Sequence, residues 1–176
     1  MNYADTPTPR PRVAVTEVGT RDGFQAEAVV IPTADKAGVI DALIGAGVTH
    51  VEATSFVSPR AVPQLADAHE VLARVARRAD AHLSALVPNP RGAERALGAG
   101  VDEMVSFVSA SETHNRANLN APIADSLANV AQVAAIARGH VPLRGAIACA
   151  FGCPFEGEVP VGAALRVVDA YAALGI

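Results

Sequence analysis

The chain has little of what marks membrane, secreted or nucleic-acid-binding proteins. No apolar run approaches the ~20 residues that a membrane-spanning helix needs. Its two cysteines, Cys149 and Cys153, are too few for a disulfide scaffold or for a closed four-ligand zinc site. The net charge is −4 and no basic run occurs, which argues against nucleic acid as a partner. We therefore expect a cytoplasmic protein that acts on a small molecule, without membrane or nucleic acid among its partners.

Lysine is nearly absent as well, because Lys36 is the one lysine among 14 basic residues. Together with the heavy use of alanine, glycine and arginine, this scarcity favours the coding bias of a GC-rich genome over a functional signal.

What is abundant is apolar sequence. Hydrophobic residues make up 51% of the 176 residues, which is enough for one domain with a sizeable core. Residues 1–11, by contrast, are rich in proline and carry no apolar core. We predict that they form a flexible N-terminal arm, neither a signal peptide nor a strong transit sequence. The predicted domain covers residues 12–176.

This domain alternates strand-like and helix-like segments that are joined by short connections. Apolar strands alternating with helices indicate a parallel sheet covered by helices, the α/β class. The first strand, which contains the run Val13-Ala14-Val15, is predicted to be buried, and Thr33 is predicted to cap the first long helix. The predicted strands cover residues 12–18, 48–53, 82–87, 102–108 and 143–150, and the predicted helices cover about 33–46, 67–78, 90–99, 122–138 and 160–174.

Five such units fit either an open doubly wound sheet or part of a (β/α)8 TIM barrel. The glycine-rich dinucleotide fingerprint is absent after the first strand, where Gly19-Thr-Arg-Asp-Gly23 lacks its spacing, and this weakens the nucleotide-binding version. Leu174-Gly175-Ile176 is consistent with a helix stop followed by the first residue of a sixth strand. Since a complete barrel typically needs ~250 residues, we expect about the first five β/α units of a barrel, truncated before the sixth strand.

Polar residues follow every predicted strand, where the reactive groups of a parallel barrel collect. After the first strand, Arg21 stands beside Asp22. A guanidinium can hold an oxyanion, and a carboxylate is a hard ligand suited to Mg²⁺ or Mn²⁺. Taken alone, this pair could equally be a surface ion pair that closes a turn. The other polar positions at the strand ends are Gln25, Glu52 with Thr54 and Ser55, Asn89, Ser109 to Glu112, and Cys149 to Cys153.

Most of these positions also have a purely structural interpretation. Asn89 fits the N-cap of a helix with proline at its first position, and Glu52 could be a strand-end charge. Cys149 and Cys153 are predicted to be packed small hydrophobic residues rather than nucleophiles. The five histidines have no metal-ligand spacing. The convergence of polar groups at one edge of the sheet, rather than any single position, favours a site.

Four segments resemble the 3-hydroxy-3-methylglutaryl-CoA lyase family, which belongs to the metal-dependent TIM-barrel lyases and aldolases. The Arg-Asp-Gly-x-Gln core of the first segment is shared with related condensing enzymes such as isopropylmalate synthase. The segments that begin at Val51 and at Cys149 are more specific to the lyase. The resemblance runs from about Arg12 to the end of the chain. The segments are Glu17-Val-Gly-Thr-Arg-Asp-Gly-Phe-Gln25, Val51-Glu-Ala-Thr-Ser-Phe-Val-Ser-Pro59, Val87-Pro-Asn-Pro-Arg-Gly92 and Cys149-Ala-Phe-Gly-Cys-Pro-Phe-Glu-Gly157.

The resemblance implies a metal-assisted retro-Claisen cleavage of 3-hydroxy-3-methylglutaryl-CoA to acetoacetate and acetyl-CoA. It implies that Asp22 binds a divalent cation, Mg²⁺ or Mn²⁺, and that Arg21 and Glu52 are catalytic, with Arg21 steadying the thioester oxygen as the enolate forms. It also implies an acyl-CoA substrate. We expect a homo-oligomer, because the sheet would expose edges beside the first and fifth strands that a second copy could cover. The residues then expected to bind substrate are Gln25, Ser55 and Asn89, with Arg60, Arg91 and Arg116 as candidate contacts to CoA.

The sequence departs from the family pattern in what it lacks. The family's His-x-His pair, a further asparagine ligand and a cysteine in a late glycine-rich loop have no counterpart here, so the remaining metal ligands are missing from this chain. Two alternatives therefore stay open. One is a lyase for another branched 3-hydroxyacyl-CoA, and the other is an inactive half-barrel that serves as a binding or assembly module.

Overall fold

The computed structural model describes residues 13–176, so the predicted arm, residues 1–11, lies outside the described part. Five parallel strands form one sheet, in which each strand pairs with the next one along the chain. This sequential order is that of a barrel and not that of a doubly wound sheet. The prediction of about five β/α units of a TIM barrel is confirmed. The strands are β1 (Thr16–Glu17), β2 (His50–Ser55), β3 (His82–Leu86), β4 (Glu103–Ser109) and β5 (Leu143–Ala148).

Helices follow the strands and cover the outer face of the sheet. Four of the five predicted long helices agree with the structure to within a few residues, whereas the predicted helix 67–78 is shorter because Val75 already has extended backbone. Ala76, which falls within the predicted helix, is exposed as a result. The helices are α1 (Phe24–Ala26), α2 (Thr33–Gly45), α3 (Ala68–Arg74), α4 (Pro90–Gly98), α5 (Glu112–Leu119), α6 (Ile123–Ala137) and α7 (Val161–Ala173).

The main hydrophobic core lies between the sheet and helices α2, α3, α4 and α6. Each helix contributes small or branched side chains at helical spacing, such as Ile40 and Ile44 from α2. Outward-facing strand residues such as Val51, Leu83 and Met104 complete this layer. A second, smaller cluster joins α7 to the end of the sheet through Val167 and other side chains. The core therefore holds the strands in register and fixes where their carboxyl ends meet.

The prediction for the first strand is wrong in length and in burial. Only Thr16 and Glu17 pair with β2, and the side chains of Val13 and Val15 are 82% and 73% exposed. The physical reason is that β1 is an edge strand that has a neighbour on one side only. Among residues 13–176, no element covers the apolar run that precedes it.

Helix ends show where local sequence decides the structure and where it does not. Asn89 caps α4 as predicted, because its Oδ1 accepts a hydrogen bond of 2.9 Å from the amide of Gly92. The predicted cap at Thr33 is wrong, since Pro32 holds that position. The Thr33 hydroxyl instead donates to Oδ2 of Asp67 at 2.7 Å.

No helix in the described part of the chain has both the length and the apolar character needed to cross a membrane.

Candidate active site

The Arg-Asp-Gly segment folds into a π-helical turn, Gly19–Gly23, directly after β1. The amide of Phe24 donates to the carbonyl of Gly19, five residues earlier, which is the hydrogen bond of a π-turn. The amides of Arg21 and Asp22 both donate to the carbonyl of Val18, at 3.0 and 2.8 Å. The sequence predicted only a loop here. Single π-turns are uncommon and often lie at functional sites, because they push side chains out of the regular helical positions.

Arg21 lies between two carboxylates. Its Nε donates to Oε1 of Glu52 at 2.5 Å, and its Nη1 donates to Oδ1 of Asp22 at 2.8 Å. The three side chains differ sharply in exposure, at 18% for Arg21, 4% for Glu52 and 67% for Asp22. The guanidinium is therefore fixed by a buried anion on one side and reaches an open carboxylate on the other. The structure brings together the two predicted catalytic residues and the predicted metal ligand.

Thr20 fastens this turn to the neighbouring strand. Its side chain is buried, and its hydroxyl donates to the backbone carbonyl of Glu52 at 3.0 Å. Backbone and side chain of Glu52 are thus both held by the turn. Sequence reasoning missed Thr20, although a hydroxyl residue directly before Arg21 was a visible signal.

Two cavities of about 300 Å³ each lie against Arg21, and we refer to them together as the Arg21 cleft. Glu52 lines one of them, and Asp22 with Gln25 lines the other. Asn118 lines both, as do the apolar residues Leu86 and Phe107. Asn118 was not predicted, because it lies on α5, a helix too polar to show apolar periodicity.

The three predicted substrate-binding residues have different surroundings. Gln25 lines the Arg21 cleft. Ser55 is fully buried, and its hydroxyl donates to the carbonyl of Leu86 at 3.3 Å. The hydroxyl proton of Ser55 is therefore already used in a hydrogen bond to the neighbouring strand. Asn89 uses its Oδ1 to cap α4 and lines an adjoining cavity. Their roles toward a substrate stay predictions.

The adjoining cavity has a volume of about 640 Å³, and we call it the arginine cavity because Arg60, Arg91 and Arg95 line it without any carboxylate. Val57 and Ser58 line both this cavity and the Arg21 cleft, so the two spaces lie side by side.

Arg95 is held in place within the arginine cavity. Its guanidinium lies 5.3 Å from the ring centre of Phe56 and donates to the carbonyl of Val57 at 3.4 Å. The sequence analysis missed Arg95, although its spacing of four residues from Arg91 places both on one helix face. Arg116, the third candidate contact to CoA, is instead paired with Glu112 on α5 at 2.8 Å.

The two cysteines lie in the loop after β5. Cys153 is buried against Ala110 and Ala163, which confirms it as a packed small residue, and its Sγ lies 3.0 Å from the Ser111 hydroxyl. Burial alone would raise the pKa of the Cys153 thiol, but hydrogen bonds from Ser111 and from backbone amides outweigh it and lower that pKa. Burial raises the pKa of the Cys149 thiol.

The residues that could bind a metal are few. No group of three or more histidine, cysteine, aspartate or glutamate side chains within residues 13–176 is arranged to hold an ion. Asp22 offers one open carboxylate, and Glu52 is occupied by Arg21. The described residues therefore do not form a divalent-cation site by themselves, since even Mg²⁺ sites that retain water use carboxylates together with further ligands.

Comparison with known proteins gives a consistent result. The family model described as HMGL-like matches residues 12–176. A mitochondrial hydroxymethylglutaryl-CoA lyase of Arabidopsis thaliana is 46% identical over 84% of this chain and 32% of its own length. A Pseudomonas aeruginosa relative, named 3-hydroxy-3-isohexenylglutaryl-CoA/hydroxy-methylglutaryl-CoA lyase, is 44% identical over 84% of this chain and 50% of its own length. The names of the relatives include both mitochondrial and cytoplasmic lyases.

Solved structures agree with this result. An HMG-CoA lyase of Acinetobacter baumannii, solved with coenzyme A and 3-methylmalate, superposes with a TM-score of 0.89 at 39% identity. The match covers 92% of this chain and 53% of that structure. The chain thus spans about half the length of the lyases that it matches.

Proposed function

Because the chain belongs to the HMGL-like family, we propose that it forms part of a carbon–carbon lyase that cleaves 3-hydroxy-3-methylglutaryl-CoA to acetoacetate and acetyl-CoA. The observation that carries this proposal is the position of Arg21, held between Asp22 and Glu52 where the strands end and facing a cleft. Such a fixed cation suits a reaction in which negative charge develops on an oxygen.

In a retro-Claisen cleavage, the tertiary hydroxyl loses its proton and the bond between C2 and C3 breaks. The electron pair of that bond passes into the thioester, whose oxygen becomes an enolate oxygen. Arginine has five N–H donors, and the two contacts to Glu52 and Asp22 leave donors for that oxygen. Donors that are already oriented stabilise the developing charge without reorganisation. We assign this stabilisation to Arg21 and its orientation to Glu52.

The CoA moiety is assigned to the arginine cavity. Its lining of three guanidinium groups without a carboxylate fits the phosphates of CoA, which arginine binds through paired hydrogen bonds. Because Val57 and Ser58 line both this cavity and the Arg21 cleft, the two spaces are adjacent, and we propose that one thioester extends from one into the other. The Acinetobacter baumannii neighbour, whose structure contains coenzyme A, supports a ligand of this class.

A divalent cation, Mg²⁺ or Mn²⁺, would polarise the oxygens of the substrate. We propose that Asp22 supplies one carboxylate ligand to it, because this side chain is open and lies beside Arg21. The described residues do not complete the site, so none of the steps above depends on the ion.

A second candidate substrate is a longer branched 3-hydroxyacyl-CoA. The Pseudomonas aeruginosa relative, whose name includes an isohexenylglutaryl substrate, favours it. Leu86 and Phe107 give the Arg21 cleft an apolar wall that could contact such a branch. Relative rates with the methyl and isohexenyl thioesters would discriminate between the two substrates.

We also propose a homo-oligomer and a cytoplasmic location. The edge strands β1 and β5 each pair on one side only, and exposed apolar side chains such as Val15 lie beside β1. Edges of this kind are covered by neighbouring strands, either from a second copy or from further strands of a barrel. A partner at the same edges is what the other alternative, an inactive half-barrel that acts as an assembly module, would need.

The proposed function is tested by calorimetric titration with 3-hydroxy-3-methylglutaryl-CoA and by an acetoacetate assay in the presence of Mg²⁺. We expect the chain to bind the thioester, and we expect Arg91→Gln combined with Arg95→Gln to weaken binding of free CoA. A matched control is Arg138→Gln, which lies directly after α6 and lines neither the arginine cavity nor the Arg21 cleft. A chain that does not bind the thioester would contradict the assignment of the CoA moiety to the arginine cavity and would favour the assembly module. Absence of acetoacetate release alone would not, because we propose that the chain forms only part of the lyase.

A further inference from the structure

We propose that Lys36 is a positioning residue for the candidate site, although it lies on α2 and outside the Arg21 cleft. Its buried ammonium group fastens the loop after β2 and, through Gln64, the segment that follows the Arg-Asp-Gly turn. Both segments line the cleft. This inference rests on the proposed function only where it predicts the affinity for a thioester.

The ammonium group of Lys36 is almost completely enclosed. The side chain is 2% exposed, and Nζ donates to Oδ1 of Asp67 at 2.6 Å and to the backbone carbonyl of Gln64. The second oxygen of Asp67 accepts from the hydroxyl of Thr33 at 2.7 Å. Both oxygens of this carboxylate are therefore used to hold the end of the loop against the first turn of α2.

Gln64 connects the loop after β2 to the segment on the other side of the cleft. While its carbonyl accepts from Lys36, its Nε2 donates to the carbonyl of Glu27 at 2.9 Å. Glu27 comes two residues after Gln25, and Val62 comes two residues before Gln64. Because Gln25 and Val62 both line the cleft, one buried cation sets the distance between two parts of its rim.

The choice of lysine is informative because every other basic residue of the chain is arginine. An ammonium group is a compact charge with three donors, whereas a guanidinium is planar, larger and presents five. The compact group fits an enclosed space that offers one carbonyl and one carboxylate oxygen. The scarcity of lysine agrees with coding bias, and Lys36 is the position at which a compact cation has these two partners.

Stability alone does not explain a charge at this place. Desolvating an ammonium group is costly, and a buried ion pair replaced by apolar side chains of similar size often leaves stability unchanged or improves it. A buried pair does, however, fix geometry, because its partners accept few alternative positions. Replacing both charges at once therefore separates a positioning role from a stabilising one.

The experiment compares the chain with the double variant Lys36→Met and Asp67→Leu. We expect amide hydrogen exchange to accelerate about tenfold or more at Glu27, Ala61 and Val62, whose amide hydrogen bonds define the two segments, and to stay unchanged in β2 to β4. The dissociation constant for 3-hydroxy-3-methylglutaryl-CoA should rise about tenfold, because a displaced rim no longer contacts the ligand correctly. The matched control is Arg78→Met with Asp80→Leu, which removes an exposed ion pair and should change neither quantity.

The outcomes separate the possibilities. Unchanged exchange in both segments overturns the proposal, and so does uniform acceleration across the chain, since that would make Lys36 merely structural. If the double variant does not fold, the single variant Lys36→Met decides, because its partner Asp67 is partly exposed. Faster exchange at Glu27 is expected, and no change there would overturn the proposal. If local exchange responds as expected while the unaltered chain binds no thioester, the proposed function fails and the positioning role stands.

Discussion

Two ion pairs within residues 13–176 have one buried partner each, and the buried partner is the anion in one pair and the cation in the other. In the pair of Arg21 and Glu52 the anion is buried, at 4% exposed, and the cation is the more open partner at 18%. In the pair of Lys36 and Asp67 the cation is buried, at 2%, and the carboxylate is more open at 21%. Both pairs connect segments more than 30 residues apart. The hydrogen-bonding groups that remain unused on the more exposed partner indicate what each ion pair can do.

At Arg21 the open partner keeps donors that face a cleft, so the pair can act on a ligand. At Asp67 both carboxylate oxygens are already taken by Lys36 and Thr33, so that pair can only hold protein segments together. This difference supports the two proposals, which assign chemistry to one of these ion pairs and positioning to the other. Exposure of the charged atoms alone does not separate the two cases, whereas counting the unused donors and acceptors does.

The strongest test of this comparison is Arg21→Gln. We expect acetoacetate formation by the active enzyme to fall about 10²–10³-fold, because an oriented donor to the developing oxyanion is lost. We also expect the free energy of unfolding to drop by about 3–5 kcal/mol, because Glu52 is left buried without a charged partner. Rate assays and denaturant melts measure the two effects. A variant with normal turnover would remove Arg21 from the mechanism.

The second test is the single variant Lys36→Met. In this variant the carboxylate of Asp67 loses its charged partner, but it is partly exposed to solvent and keeps the hydrogen bond from Thr33. We therefore expect the free energy of unfolding to fall by only about 1–3 kcal/mol. The comparison predicts that this loss is smaller than that of Arg21→Gln. Urea melts of both variants under one set of conditions check the order, and the reverse order would break the comparison.

The third test removes charge but keeps shape at the buried anion. We expect Glu52→Gln to lower turnover about tenfold, less than Arg21→Gln, since the donor remains while its orientation loosens. The exposed pair of Arg78 and Asp80 gives the matched control. Hydrogen bonding to Arg78 lowers the pKa of the Asp80 carboxyl, but the pair is fully solvated, so Arg78→Gln should leave turnover unchanged. Equal rates for Glu52→Gln and the unaltered enzyme would argue against a role for Glu52.

Local sequence predicted those features that depend on local chemistry. The cap at Asn89 follows from turn chemistry, and the meeting of Arg21 with Asp22 and Glu52 follows from the rule that parallel strand ends share one edge. The features that depend on distant residues were not predictable in the same way. Lys36 is assigned a role only once Gln64 and Asp67, about 30 residues away, are placed beside it.

Two further errors have the same origin. The run from Val13 to Val15 was expected to be buried because apolar strands usually are, but burial needs a covering element that sequence periodicity does not show. Helix α5 was missed because its faces are polar, and Asn118 was missed with it. Its capping by Ser111, which accepts from the amide of His114 at 3.1 Å, was the local signal available.

The smallest expected effect concerns Asp22, the second carboxylate that contacts Arg21. Asp22 is the exposed carboxylate there, and the described residues supply no group of three ligands around it. We therefore expect this chain to bind Mg²⁺ only weakly, with a dissociation constant of about 1 mM or higher, because one carboxylate displaces few of the waters of the ion. Asp22→Asn should abolish even this binding, whereas Asp41→Asn, whose carboxylate accepts from the amide of Ala76, should leave it unchanged. Calorimetric titration with MgCl₂ measures both. Tight binding that survives Asp22→Asn would place the metal elsewhere and would leave Asp22 as a partner of Arg21 alone.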